Sequence, residues 1–160
     1  MKLLIISNNP TRASFRQRIG IYLDTLYANA ITCEVAKLPS GYLRRLKLFR
    51  RSADFDAVLL HKKCLNFFDV HYLRKYSKKL IYDFDDAIMY SPTTPASDKS
   101  SHFRLFRRTT KMANLIIAGN PYLAEHAQRF NSNVKVLPTG LDTKPYDIAN
   151  NENDDKQVKN

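Results

Sequence analysis

The sequence predicts a three-layer α/β domain built on a doubly wound, parallel sheet. Six short apolar runs alternate with longer stretches whose apolar residues recur at helical spacing. A length of 160 residues with 44% hydrophobic content suits one domain with a substantial core. Each element can be justified in turn. Leu3 to Ile6 reads as a buried first strand, and residues 12–28 as a helix with Phe15, Ile19, Tyr22, Leu23 and Leu26 on one side. Ile31 to Val35 is the second strand. A basic helix over 41–51 precedes the third strand, Ala57 to Leu60, which Asp54 and Asp56 introduce. Residues 66–77 form a helix and Leu80 to Tyr82 the fourth strand.

A long turn-rich loop follows, from Ser91 to Ser97, and loops of that length inside compact domains are often functional. A helix over 100–112 leads to the fifth strand, Leu115 to Ala118. Asn120 and Pro121 then supply a cap and a first-turn proline for a helix to Phe130. Val134 to Leu137 closes the set as strand six. After Pro138-Thr139-Gly140-Leu141-Asp142 the composition turns polar. The domain is expected to occupy 1–146, with 147–160 a polar linker or tail.

Charge is unevenly placed along the chain. Of a net +11, residues 1–112 carry 21 Lys and Arg against 9 Asp and Glu, and residues 113–160 carry 5 against 6. Such a field favours phosphate groups, in a diphosphate-bearing substrate, an anionic lipid surface or nucleic acid; it also serves plain solubility. Nucleic acid is not the expected partner, because the chain has no RNP-type aromatic motif and no C2H2 finger. No apolar run approaches the roughly 18 residues of a membrane span, and Leu3 to Ile6 is too short for a secretory signal. A cytoplasmic setting is expected, with the inner membrane face as a place of action. Cys33 and Cys64 lack metal-ligand spacing and read as core residues.

In doubly wound sheets the ligand lies beyond the carboxyl ends of the strands where the winding reverses, which in one common order falls between strands one and four. Those ends are polar here. Strand one runs into Asn8, Asn9 and Arg12, strand four into Asp83, Asp85 and Asp86, strand five into Gly119 and Asn120, and strand six into Thr139 and Gly140. Arg12 and Arg16 share a helix face and sit at a helix start that ordinarily prefers acidic side chains, so an anion there would relieve their repulsion; fanning into water or pairing with acidic residues would do the same. The aspartates can orient sugar hydroxyls, act as a base, or cap the loop and pair with helix-one arginines. No metal is expected, since no further carboxylate or histidine completes a shell. His61 ends strand three on the same rim, either as a ligand contact or as an ordinary packed residue. The absence of G-x-G-x-x-G argues against a nicotinamide or flavin cofactor. Tyr42 to Arg51 places five cations around Leu43, Leu46, Leu48 and Phe49, the pattern of a surface-seeking helix or of one whose apolar stripe covers the sheet.

Three segments in order carry a resemblance: Tyr82-Asp83-Phe84-Asp85-Asp86-Ala87-Ile88, Ala113 to Ala124, and Val136-Leu137-Pro138-Thr139-Gly140-Leu141-Asp142. Together they resemble the N-terminal domain of family 4 glycosyltransferases, whose GT-B fold pairs two Rossmann-like domains. The resemblance covers residues 1 to about 148. It implies retaining, metal-independent transfer of a sugar from a nucleotide-sugar to a glycan or lipid-linked acceptor held in an interdomain cleft, in polysaccharide biosynthesis. By that resemblance Asp85 and Asp86 are the candidate catalytic residues, and the strand-one loop lines the acceptor side. Two departures stand out. Asn8-Asn9-Pro10 replaces the usual glycine-rich loop, and the donor-binding domain with its E-x7-E element is absent from these residues. The chain is therefore expected to be an acceptor-side half, inactive alone, that needs a donor-binding domain in cis or from a partner chain.

Overall fold

The computed structural model describes residues 1–140 apart from Pro92, Thr94 and Pro95. The expected linker from 147, and Leu141 and Asp142, lie outside the described residues. Six strands form one parallel sheet: β1 (Lys2–Ser7), β2 (Thr32–Lys37), β3 (Ala57–His61), β4 (Leu80–Phe84), β5 (Leu115–Ala118) and β6 (Val134–Val136). The helices are α1 (Ala13–Arg18), α2 (Leu23–Ala28), α3 (Tyr42–Arg51), α4 (Phe67–Tyr76), α5 (Ser101–Met112) and α6 (Pro121–Gln128). The expected α/β fold class is the one observed, a Rossmann-like sheet flanked by helices.

Strand order is β2-β1-β3-β4-β5-β6. This moves the reversal of winding from the expected place between strands one and four to the gap between β1 and β3. The helix layers follow from it. The chain steps outward once, from β1 to β2, then returns and winds in the other direction through β6. Right-handed crossovers therefore put α1 and α2 on one face and α3 to α6 on the other. The packing agrees: Leu48 and Phe49, Val70 and Leu73, Phe103 and Phe106, and Leu123 and Ala127 share one core with Leu4, Leu60, Tyr82 and Ile116. The opposite face holds a smaller core of Leu3, Ile5, Phe15, Ile19, Ala57 and Leu59. That second layer is only half as wide as the sheet, and the β5 residues on its side, Leu115 and Ile117, stay half-buried.

The helix expected over 12–28 is broken. α1 ends at Arg18, a single 3₁₀ turn spans Gly20–Tyr22, and α2 resumes at Leu23. Gly20 lowers helix propensity at the break. Packing is the stronger reason, because Arg18 and Ile19 are both drawn inward there. The stripe of α3, with Leu48 and Phe49 buried, covers the sheet. Asn66 and Asn120 cap α4 and α6 by accepting from the Asp69 and Leu123 N–H groups, each at 2.9 Å.

Candidate functional site

The reversal sets the carboxyl ends of β1 and β3 side by side, with Ser7 opposite His61. The Ser7 hydroxyl and His61 Nδ1 share a hydrogen bond of 3.2 Å, and the ring of Phe15 meets the imidazole edge-on at 5.5 Å. His61 is 3% exposed. Burial, reinforced by the positive charges of Lys62 and Arg18, pushes its pKa from 6.5 down to about 4, so the ring is neutral at pH 7. Its Nε2 is buried without a partner among the described residues.

Lys62, the next residue, adopts φ 53°, a left-handed conformation uncommon for a side chain of this kind. The turn lets its N–H donate to the Asp83 carbonyl at 2.8 Å while its ammonium reaches two carboxylates. Nζ donates to Asp86 Oδ2 at 2.8 Å. Its 2.5 Å approach to Asp85 Oδ1 is a charge pair without hydrogen-bond alignment.

The strand-four aspartates thus have separate partners. Asp83 points to the α1 face, where Arg18 Nη2 and Nε donate to its Oδ1 at 2.8 and 3.1 Å. Both side chains are almost wholly buried. Burial still holds the Asp83 carboxyl above its ordinary value, although the guanidinium pulls it down. Arg18 also donates through Nη1 to the Leu137 carbonyl and faces Thr139 Oγ1 at 3.4 Å, tying α1 and β4 to the exit from β6. Asp83 is accordingly a buried ion-pair residue rather than an open contact for an acceptor or phosphate.

A cleft of ≈ 500 Å³ opens over this reversal, lined by Ser7, Asn8, Asn9, Arg12, Ser14, His61, Lys62, Asp86 and Ile88. It continues on one side into a hollow of ≈ 660 Å³ that shares Asn8, Lys62 and Asp86 and reaches Tyr90 and His102. On the other side a hollow of ≈ 540 Å³ shares Asn8 and adds Lys37, Arg44 and Arg45. The result is one open trough along the carboxyl rim, with cations along its length and Asp86 facing into it.

Five of the residues singled out from sequence therefore meet in the cleft: Asn8, Asn9, Arg12, His61 and Asp86. The others stand apart from it. Arg12 is the extended N-cap residue of α1 (φ −68°, ψ 149°) and so does not share the expected helix face with Arg16, which turns back to donate to the Thr11 carbonyl at 2.9 Å. Asn120 spends its side-chain oxygen on capping α6. Gly119 is where β5 runs against β4: a Cβ there would lie 2.7 Å from Asp85 Cα. Asp85 is half-buried and accepts from the Thr139 hydroxyl at 3.4 Å. A Cβ on Gly140 would meet Tyr22 Oη at 2.9 Å. Lys62, Arg18 and Ser7 were not among the candidates. Lys62 was legible in principle, because it follows His61 at the mouth of β3, but only with β3 known to neighbour β1.

Among the described residues no group of His, Cys, Asp and Glu is arranged to hold a metal ion. Cys33 and Cys64 are free and half-buried, and burial pushes the Cys64 thiol up to about 11. No helix among the described residues is long and apolar enough to cross a membrane.

No protein-family model matches the chain, and no curated protein matches it. Among solved structures it is similar to Anabaena Alr3699/HepE in complex with UDP, with a TM-score of 0.55 and 18% identity. The likeness covers 91% of this chain and 46% of that one, so the chain spans a little under half the length of its structural neighbour. At this identity the likeness establishes the α/β fold.

Proposed function

We propose that this chain is the acceptor-side domain of a glycosyltransferase that moves a sugar from a nucleotide-sugar, with retention of configuration, to a glycan or lipid-linked acceptor. The observation that carries the reading is the trough over the β1/β3 reversal, in a fold shared with a protein solved in complex with UDP. Arg12 and Lys62 supply cations for an anionic group of the acceptor, and Asn8 and Asn9 supply amides for sugar hydroxyls. Asp86, exposed at the mouth, accepts a hydroxyl proton or orients the hydroxyl. The neutral imidazole of His61, packed beneath Ser7 and Phe15, forms part of the wall of the same cleft. Asp85, held by Lys62 and Thr139, positions the turn that carries Asp86. The donor nucleotide is left to a second domain, in cis or from a partner chain, so the chain alone binds acceptor without turnover.

Titration of the 160-residue protein with a polyprenyl-diphosphate sugar, and separately with UDP- and GDP-sugars, tests this. The expected result is saturable binding of the lipid-linked sugar that falls about tenfold or more in Arg12→Ala and in Asp86→Ala, in line with loss of a charge-assisted hydrogen bond. Binding that neither substitution alters, or no binding of any sugar phosphate, overturns the proposal.

A further inference from the structure

A second surface lies outside the trough. In a parallel sheet each helix begins at the carboxyl rim, so the first turns of α3 and α4 stand beside the cleft. Arg45 Nη1 donates to Asp69 Oδ2 at 2.6 Å and fastens those two turns together. On the solvent side of that joint the large apolar residues are turned outward: Tyr42 is 55% exposed, Leu43 78%, Phe67 58% and Phe68 67%. Phe67 and Phe68 pack edge to face at 5.6 Å, so they form one raised apolar ridge instead of two separate side chains.

Behind the ridge lies a cationic stripe. Arg104, Arg107, Arg108 and Lys111 line a shallow hollow on the outside of α5, and among the described residues none has a carboxylate partner. Arg108 bends over the Phe67 ring at 5.5 Å, joining stripe and ridge. An exposed apolar ridge costs free energy in water, and four unpaired cations in one row repel one another. Both penalties disappear against a surface that is apolar within and anionic at its face.

We propose that the Phe67–Phe68 ridge, together with the exposed Leu43 in the first turn of α3 and backed by the α5 cations, seats this domain on an anionic lipid bilayer. The aromatic and aliphatic tips enter the headgroup boundary, and the α5 stripe meets lipid phosphates. Seated this way, the trough opens at the membrane face. The aliphatic Leu43 at the most exposed position favours lipid over nucleic acid, where stacking surfaces alone would suffice. This inference does not depend on the trough's chemistry, because it concerns a different surface and a bilayer without any sugar.

The chain has no tryptophan, so Phe68→Trp installs a single fluorescent reporter at the ridge. With phosphatidylcholine vesicles containing about one-third phosphatidylglycerol, its emission shifts to the blue and bromine-labelled acyl chains quench it. With pure phosphatidylcholine the response is weak. In co-sedimentation, Phe67→Ser/Phe68→Ser and, independently, Leu43→Ser each weaken vesicle binding, the double substitution by about tenfold or more. Arg104→Glu/Lys111→Glu abolishes it, with thermal unfolding unchanged in every variant. The proposal is overturned by absence of binding to anionic vesicles, or by binding that the ridge substitutions leave intact. It is equally overturned if single-stranded nucleic acid holds the protein more tightly than the vesicles and the tryptophan stays unshifted.

Discussion

Arg18 and Asp83 are packed between α1 and the sheet, where water cannot compensate either charge. Removing one partner strands the other in a medium that penalises it heavily. Arg18→Met is therefore expected to cost roughly 3–5 kcal/mol in denaturant unfolding, while Arg18→Met/Asp83→Leu recovers much of that loss. Strictly additive losses would show that the pair is not coupled. His61 makes a separate pH prediction. Its pKa is lowered in the folded protein, from 6.5 to about 4, so the folded state resists taking up its proton. The contribution is complete above pH 6.5 and is lost as pH falls from 6.5 toward 4, on the order of 3 kcal/mol in all. Unfolding measured across that window should fall less steeply in His61→Gln than in the parent; equal slopes would remove His61 as the cause. At Gly119 the argument is steric. A Cβ 2.7 Å from the Asp85 backbone forces β4 and β5 apart, and Gly119→Ala is expected to lower stability by about 1–3 kcal/mol.

Among the elements, the joint between α3 and α4 organises the rim. Asn66 accepts from the Asp69 N–H and donates through Nδ2 to Asp69 Oδ2 at 2.8 Å, and that carboxylate in turn holds Arg45. Cap and ion pair are thus one network, and Asn66→Ala should cost more than an isolated cap, about 2 kcal/mol, with faster amide exchange in the first turns of both helices. A loss confined to α4 would separate the cap from the joint. The elements were largely legible from periodicity, since β5 runs over the expected residues and the α3, α4 and α5 boundaries fall within one residue of expectation. The break in the first helix was not legible. Phe15, Ile19 and Leu23 keep helical spacing through it, and the residue that forces the turn, Arg18, is a buried arginine whose partner lies 65 positions away.

The molecule as a whole is a sheet covered completely on one face and partly on the other, with the trough and the exposed apolar residues of the first turns of α3 and α4 both at its carboxyl edge. If that edge meets both an acceptor and a bilayer, vesicle binding and sugar binding should respond to different substitutions. Arg12→Ala should leave vesicle partition unchanged, and Phe67→Ser/Phe68→Ser should leave binding of a water-soluble acceptor analogue unchanged. Calorimetry paired with co-sedimentation reads both, and cross-effects in both directions would merge the two surfaces into one.

By itself the sequence determined the six strands, the helices apart from the break in the first, and the polar character of the strand ends, because hydrophobic period and capping chemistry are local properties. Strand order is not local. Only the tertiary structure decided that β3, rather than β4, neighbours β1, and this single choice made His61 and Lys62 the centre of the cleft. It also gave Asp83 to Arg18, left Asp86 at the mouth, and turned Arg16 back on its own loop. A carboxylate's role depends on which cation and how much water stand beside it, and those neighbours come from distant parts of the chain.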